Sequence, residues 1–219
     1  MPSKAWIQII IGLVAGAMVG LSALTGDSVD EQGLRWLTSV SGGIVLLLLM
    51  FDRWLWRLPG IRWLCEMAGR PVIHGTWYGT LKYEKDQDGK PGSTEIYIAI
   101  KQTFSEVRSI RCYFPKTEAE SWSLAAALQP NDHRSDLRYI YQQQAPVPNR
   151  DTNRPTEGAC QLAVSGRPVN ELSGSYYAER GGRGTIQAGE YSSKVAGSLG
   201  DAQRLRVCPQ TGEGARMSL

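Results

Sequence analysis

Two long apolar runs open the chain, and eight short segments of alternating apolar and polar residues follow them; the change of period falls near His74. The first run, Ala5 to Leu24, holds 20 residues with no charge and one amide, Gln8. That is the length a helix needs to cross about 30 Å of hydrocarbon. The second, Trp36 to Phe51, contains IVLLLLMF and borrows the apolar length of Trp54 to Leu58 to reach the far interface. The connector GDSVDEQG carries Asp27, Asp30 and Glu31, whereas Lys4 precedes the first run and Arg53, Arg57, Arg62 and Arg70 follow the second. Positive residues stay inside, so both termini are expected in the cytosol, with Trp6, Trp36, Trp54 and Trp56 at the interfaces. The rival reading of the first run is a cleavable signal peptide, with Lys4 and LSAL as its flanks. Its apolar region is usually only about 7 to 15 residues, and a second run so close behind suits a helical hairpin better.

Residues 1–57 are therefore expected to form a two-helix transmembrane anchor, and 58–74 a juxtamembrane linker broken by Pro59-Gly60. Beyond it, strands are expected at Thr76–Glu84, Thr94–Phe104, Glu106–Phe114, Ser121–Leu128, Asp136–Gln143, Ala159–Val164, Leu172–Glu179 and Gly184–Tyr191. Turn-rich connectors such as DQDGKPG, PKTEAE and SGRPVN separate them. Eight sequential strands with mostly tight connections favour a lipocalin-like, antiparallel up-and-down β-barrel over residues 75–191, with a sandwich as the alternative. The fold class is thus all-β on a membrane anchor. Apolar parity points Trp77, Ile96, Ile98, Ile100, Ile110, Phe114, Trp122, Leu124 and Leu128 inward, and Tyr78, Lys82 and Lys101 outward. Residues 192–219, polar and rich in Gly, Ser and Arg, read as a disordered tail.

Three features suggest chemistry. Gly12, Gly16 and Gly20 form two overlapping GxxxG steps, a face on which another helix can pack closely. The partner is either the small face Ser39, Ser41, Gly42 and Gly43 of the same chain or a second subunit. In the later strands Leu137, Tyr139 and Tyr141 share one face, and Gly174, Tyr176, Ala178 and Arg180 another. Tyrosine and arginine stack on bases and pair with phosphates, which suits a nucleotide; tyrosine is also simply a good strand former. The RGGRG stretch from Arg180 offers a phosphate grip, a solvated hairpin turn or, as a single short copy, an RGG-type RNA segment.

The 219 residues carry a net charge of only +3, which gives no footing for a DNA or RNA polymer as partner. Neither His74 nor His133 sits in a triad context, and no GxSxG, HExxH, P-loop or paired-cysteine motif occurs, so an enzyme is not expected. His133 reads as a turn residue. Cys65, Cys112, Cys160 and Cys208 are too far apart for a metal site and are expected as reduced thiols. No metal and no resident cofactor are foreseen.

With a two-helix anchor, then HGTWYGTLKY opening a strand-rich domain, then ELSGSYYAERGGRGTI near its end, the chain resembles the two-transmembrane, β-strand-rich effectors of bacterial CBASS anti-phage systems. The resemblance spans Met1 to about Tyr191 and implies a minimal eight-stranded barrel that recognises a cyclic dinucleotide made by a partner nucleotidyltransferase. It also implies that the anchored protein then self-associates in the lipid bilayer and disrupts the inner membrane. Strand parity, independently of the family, offers Tyr139, Tyr141, Tyr176, Arg180 and Arg108 as ligand contacts, and the glycine stripe as an assembly face. The alternative is a membrane-tethered carrier or sensor of an apolar ligand such as a fatty acid, and a third reading is a structural adaptor with a filled barrel and no ligand.

Overall fold

A computed structural model describes residues 12, 16, 20, 31–58, 61, 70–84, 90–130, 134–149 and 154–207. The chain forms two compact units, Met1–Leu64 with Thr103–Glu106, and Cys65–Gln102 with Val107–Leu219.

The larger unit is a closed antiparallel barrel in which each strand pairs with its sequence neighbours and the last returns to the first. Its strands are β1 (Gly75–Tyr83), β2 (Gly92–Gln102), β3 (Val107–Phe114), β4 (Ala119–Pro130), β5 (Ser135–Gln144), β6 (Thr156–Gly166), β7 (Val169–Ala178) and β8 (Arg183–Ser192). Each overlaps one of the segments expected from alternation, and closure leaves no unpaired edge.

The barrel has a near end, where β1 begins, and a far end, where it turns into β2. Its near half is filled with aliphatic side chains and one indole: Trp77, Ile98, Ile100, Leu137, Leu162 and Leu172 are fully buried and belong to one core cluster. Each such side chain contributes roughly 1.5–3 kcal/mol on burial. Ile73, equally buried, plugs the near end as the chain enters. Gln102 fixes this plug, since its Oε1 accepts from the Ile73 N–H at 2.8 Å and its Nε2 donates to the Pro71 carbonyl at 3.0 Å. The Trp77 indole N–H donates to the Ile73 carbonyl at 3.0 Å, so the buried polar atoms of the plug are matched.

Parity misleads for the core in β4. Trp122 pairs with Arg111, and Cys112, which points inward, pairs with Ser121, so Ser121 faces the interior and Trp122 the outside. A bulge between Ser123 and Ala125 then reverses the alternation, bringing Leu128 inward and leaving Leu124 exposed. Trp122 and Leu124 are therefore not core residues, whereas the other seven expected inward residues all belong to the core or pack against it.

The stretch expected as a disordered tail is also ordered as far as Val207. Residues 193–207 cross the outside of the barrel and end in a helix, Leu199–Val207. This strap covers the outward rings of Tyr78, Tyr97 and Tyr113, and buries its own Ala196 and Ala202 among them. Thr76 Oγ1 donates to the Lys194 carbonyl at 2.7 Å and accepts from the Ala196 N–H at 2.9 Å. Arg206 reaches Glu95 at 3.0 Å and Glu190 at 3.2 Å. A short helix with few apolar residues gives little periodic signal, but local packing settles its position.

In the smaller unit, helix α1 runs Glu31–Arg53 and includes the second expected span; Leu46, Leu47 and Leu49 are exposed. At its end the Asp52 carboxylate accepts the Ser105 N–H at 2.8 Å and its carbonyl accepts that of Phe104 at 3.0 Å. The Phe104 ring meets Phe51 at 5.2 Å and Trp56 at 6.4 Å. Among the described residues no helix is long and apolar enough to cross a membrane. Most of the first expected span lies outside them; Gly12, Gly16 and Gly20 are helical and exposed, with nothing within 4 Å of an added Cβ. The same holds for Gly42 and Gly43. His133, Cys65 and Cys208 also lie outside the described residues.

Candidate functional site

The far half of the barrel is made of different side chains on the same strands. Alternation along β5 turns Leu137, Tyr139 and Tyr141 inward; the first joins the aliphatic floor and the two tyrosines lie above it. Tyr139 is the cross-strand neighbour of Cys160, which is in turn opposite Tyr176 on β7. The Tyr139 hydroxyl lies 3.7 Å from Cys112 Sγ, and the rings of Tyr139 and Tyr141 are 6.1 Å apart. Tyr141 donates to the Tyr177 carbonyl at 3.4 Å. Tyr83, Phe114 and Tyr176, each partly buried, pack against this layer. Two glycines make room for the rings. A Cβ on Gly92 would lie 2.5 Å from the Tyr83 hydroxyl oxygen, and one on Gly158 would lie 2.5 Å from that of Tyr141.

Burial sets the protonation state of this layer. It pushes the Cys112 thiol up to about 11, the Cys160 thiol to about 12 and the Tyr176 hydroxyl to about 12. Burial likewise raises Tyr139 and Tyr141 well above the usual tyrosine range. All five groups stay neutral from pH 7 well into the alkaline range, and the three tyrosines present aromatic faces with weak hydrogen-bonding tips.

Of the residues singled out from sequence, Tyr139, Tyr141 and Tyr176 come together here. Arg180 stands exposed in the turn after β7, two residues beyond Ala178 and so at the same end. Arg183, at the start of β8, is held by Glu84. Arg108 is not part of this group. A register shift where Gln102 pairs with Val107 turns Val107 into the core and leaves Arg108 exposed at the near end. Reading from sequence overlooked Tyr83, Phe114, Cys112 and Cys160. Tyr83 shares the inward parity of Trp77, and Cys112 that of Ile110 and Phe114, so the signal was present. Among the described residues no group of three or more histidine, cysteine or acidic side chains is placed to hold a metal ion.

A closed barrel plugged at one end and ring-lined at the other has the form of a small-ligand receptor domain. The profile of the family described as Cap15, cyclic dinucleotide receptor domain, matches residues 69–191, more than half of the chain. The protein belongs to that family, and its barrel is a cyclic dinucleotide receptor domain. No curated protein and no solved structure matches the chain.

Proposed function

We propose that this protein is an anti-phage effector that receives a cyclic dinucleotide at the far end of its barrel and then compromises the inner membrane. The observation that carries the reading is the layer of neutral tyrosines above a sealed aliphatic floor, with Arg180 at the same rim. A cyclic dinucleotide has two flat bases and two phosphates, so it asks for stacking faces and cations together. In this reading residues 1–57 anchor the chain as a two-helix hairpin with both termini cytosolic. The exposed leucines of α1 support it, since such a surface is costly in water. Ligand binding favours an associated state of the anchored chains by its greater affinity for that state, and the open face of Gly12, Gly16 and Gly20 suits helix contacts between subunits. The protein is then a sensor and membrane-active assembly rather than a catalyst.

The test uses the full chain in vesicles of inner-membrane lipids. A panel of cyclic dinucleotides is added, with linear dinucleotides and a fatty acid as controls, and release of an enclosed dye is followed. Release with one cyclic species, abolished by Tyr176→Ala, is the expected result. Binding of the fatty acid alone would overturn the reading in favour of a tethered carrier of apolar ligands.

A further inference from the structure

The two outer faces of the barrel are treated differently. The face of β1 to β3 carries aromatic rings, and the strap covers them. The face of β4 to β7 carries an apolar row that no described segment covers. Its register is continuous: Ala125 lies opposite Ile140, Ile140 opposite Ala159, and Ala159 opposite Tyr177. Leu124 projects beside it from the β4 bulge. Leu124, Ile140 and Tyr177 are 55%, 52% and 59% exposed. Soluble sheet faces normally carry polar side chains at such positions, and a contiguous exposed row marks a contact surface.

The flanks of the row bear opposite charges. On the near side lies Arg138, two residues before Ile140; it and Arg134 both approach the buried Asp136 carboxylate, at 3.7 and 3.1 Å, leaving an excess of positive charge. On the far side, paired with Gln142, lies the exposed Glu157. A two-fold axis in the plane of contact and along the row leaves Ile140 facing its own copy. It also turns Arg138 of each copy toward Gln142 and, one strand over, Glu157 of the other. The row is thus self-complementary in both apolarity and charge.

We propose that this outer face of β4 to β7 is where two copies of the barrel dock. The proposal rests on the assembly reading above and gives it a surface outside the anchor. The size of the patch fixes its strength. Four strands at about 4.8 Å spacing make a face on the order of 300 Å², well below the about 800 Å² per partner of a stable interface. Docking is therefore weak between free molecules and becomes substantial between copies held at high local concentration on one bilayer.

The experiment places a cysteine at Ile140 (I140C, with Cys65→Ser and Cys208→Ser) in the full chain in vesicles, adds the activating cyclic dinucleotide, and applies a short bismaleimide. The surface predicts a cross-linked dimer at Ile140 and none from Lys116→Cys in the β3–β4 turn. It also predicts that Arg138→Glu and Glu157→Arg each lower the cross-linked yield at least fivefold, and that the two together restore it. Assembly by sedimentation without an Ile140 cross-link overturns the surface and leaves the assembly reading standing. No ligand-dependent assembly by either measure overturns both. A blue shift of an environment-sensitive dye on I140C, seen with vesicles at protein dilutions too sparse to cross-link, assigns the row to the lipid surface instead and also overturns the proposal.

Discussion

The near and far halves of the barrel interior are built by the same strands, yet they have different work. In the near half Trp77, Ile98, Leu137, Leu162 and Leu172 exclude all solvent and carry no polar atom that lacks a use. In the far half the same strands continue as Tyr83, Cys112, Phe114, Tyr139, Tyr141, Cys160 and Tyr176, several of them only partly covered. In the reading proposed above, stability concentrates in the aliphatic floor and recognition in the ring layer at the other end.

Four measurements break or sharpen that division. The largest effect is expected from Leu162→Ala, which opens a cavity in the floor and costs about 2–5 kcal/mol in urea unfolding. Affinity for the cyclic dinucleotide, measured on the folded fraction, should stay within about twofold. A comparable loss of affinity would show that the floor and the ring layer are one cooperative site. Next, Tyr176→Ala removes one stacking face, worth about 1–3 kcal/mol, so calorimetry should show binding weakened by roughly 5- to 150-fold. Stability should fall less than in Leu162→Ala; the reverse ranking would make Tyr176 a core residue.

Third comes alkaline pH. The thiols of Cys112 and Cys160 rise on folding from 9.0 to about 11 and about 12, so the folded state holds protons that the unfolded chain releases. Their contribution is complete below pH 9 and is lost as pH climbs toward 11 to 12, amounting to at most about 3 kcal/mol for Cys112 and about 4 kcal/mol for Cys160. Melting temperatures recorded from pH 8 to 11 should fall, and Cys112→Ser with Cys160→Ser should flatten the decline. An unchanged slope would assign the alkaline loss to other groups. The smallest effect separates the two ends of the barrel. Arg180→Ala, at an exposed rim, should weaken ligand binding about three- to tenfold at low salt, and Arg108→Ala at the opposite end should leave it unchanged. Equal effects from both would mean that charge is read from the whole domain and not at the rim.

The strands were legible because antiparallel alternation and turn residues act locally: all eight expected segments overlap an observed strand. Three of the five proposed ligand contacts, Tyr139, Tyr141 and Tyr176, converge inside because period-two parity holds along β5 and β7. Parity fails wherever an extra residue enters a strand. The bulge at Ser123–Ala125 sent Trp122 and Leu124 outward, and the register shift at Gln102 did the same for Arg108. Such shifts arise from closure and twist, which are long-range properties that a single strand does not announce. The strap was missed for another reason. Its order depends on rings that lie 80 or more positions earlier in the chain, those of Tyr78, Tyr97 and Tyr113, and not on its own composition.

The strap has a practical consequence for anyone preparing the receptor alone. The family match stops at residue 191, whereas the folded body continues to Val207. Cutting at 191 leaves Tyr78, Tyr97 and Tyr113 uncovered and strands Thr76 without the two backbone partners it has at Lys194 and Ala196. The line that delimits the shared domain and the line that delimits the folded body are thus different, and a shortened receptor keeps its outer rings covered by carrying its chain through Val207.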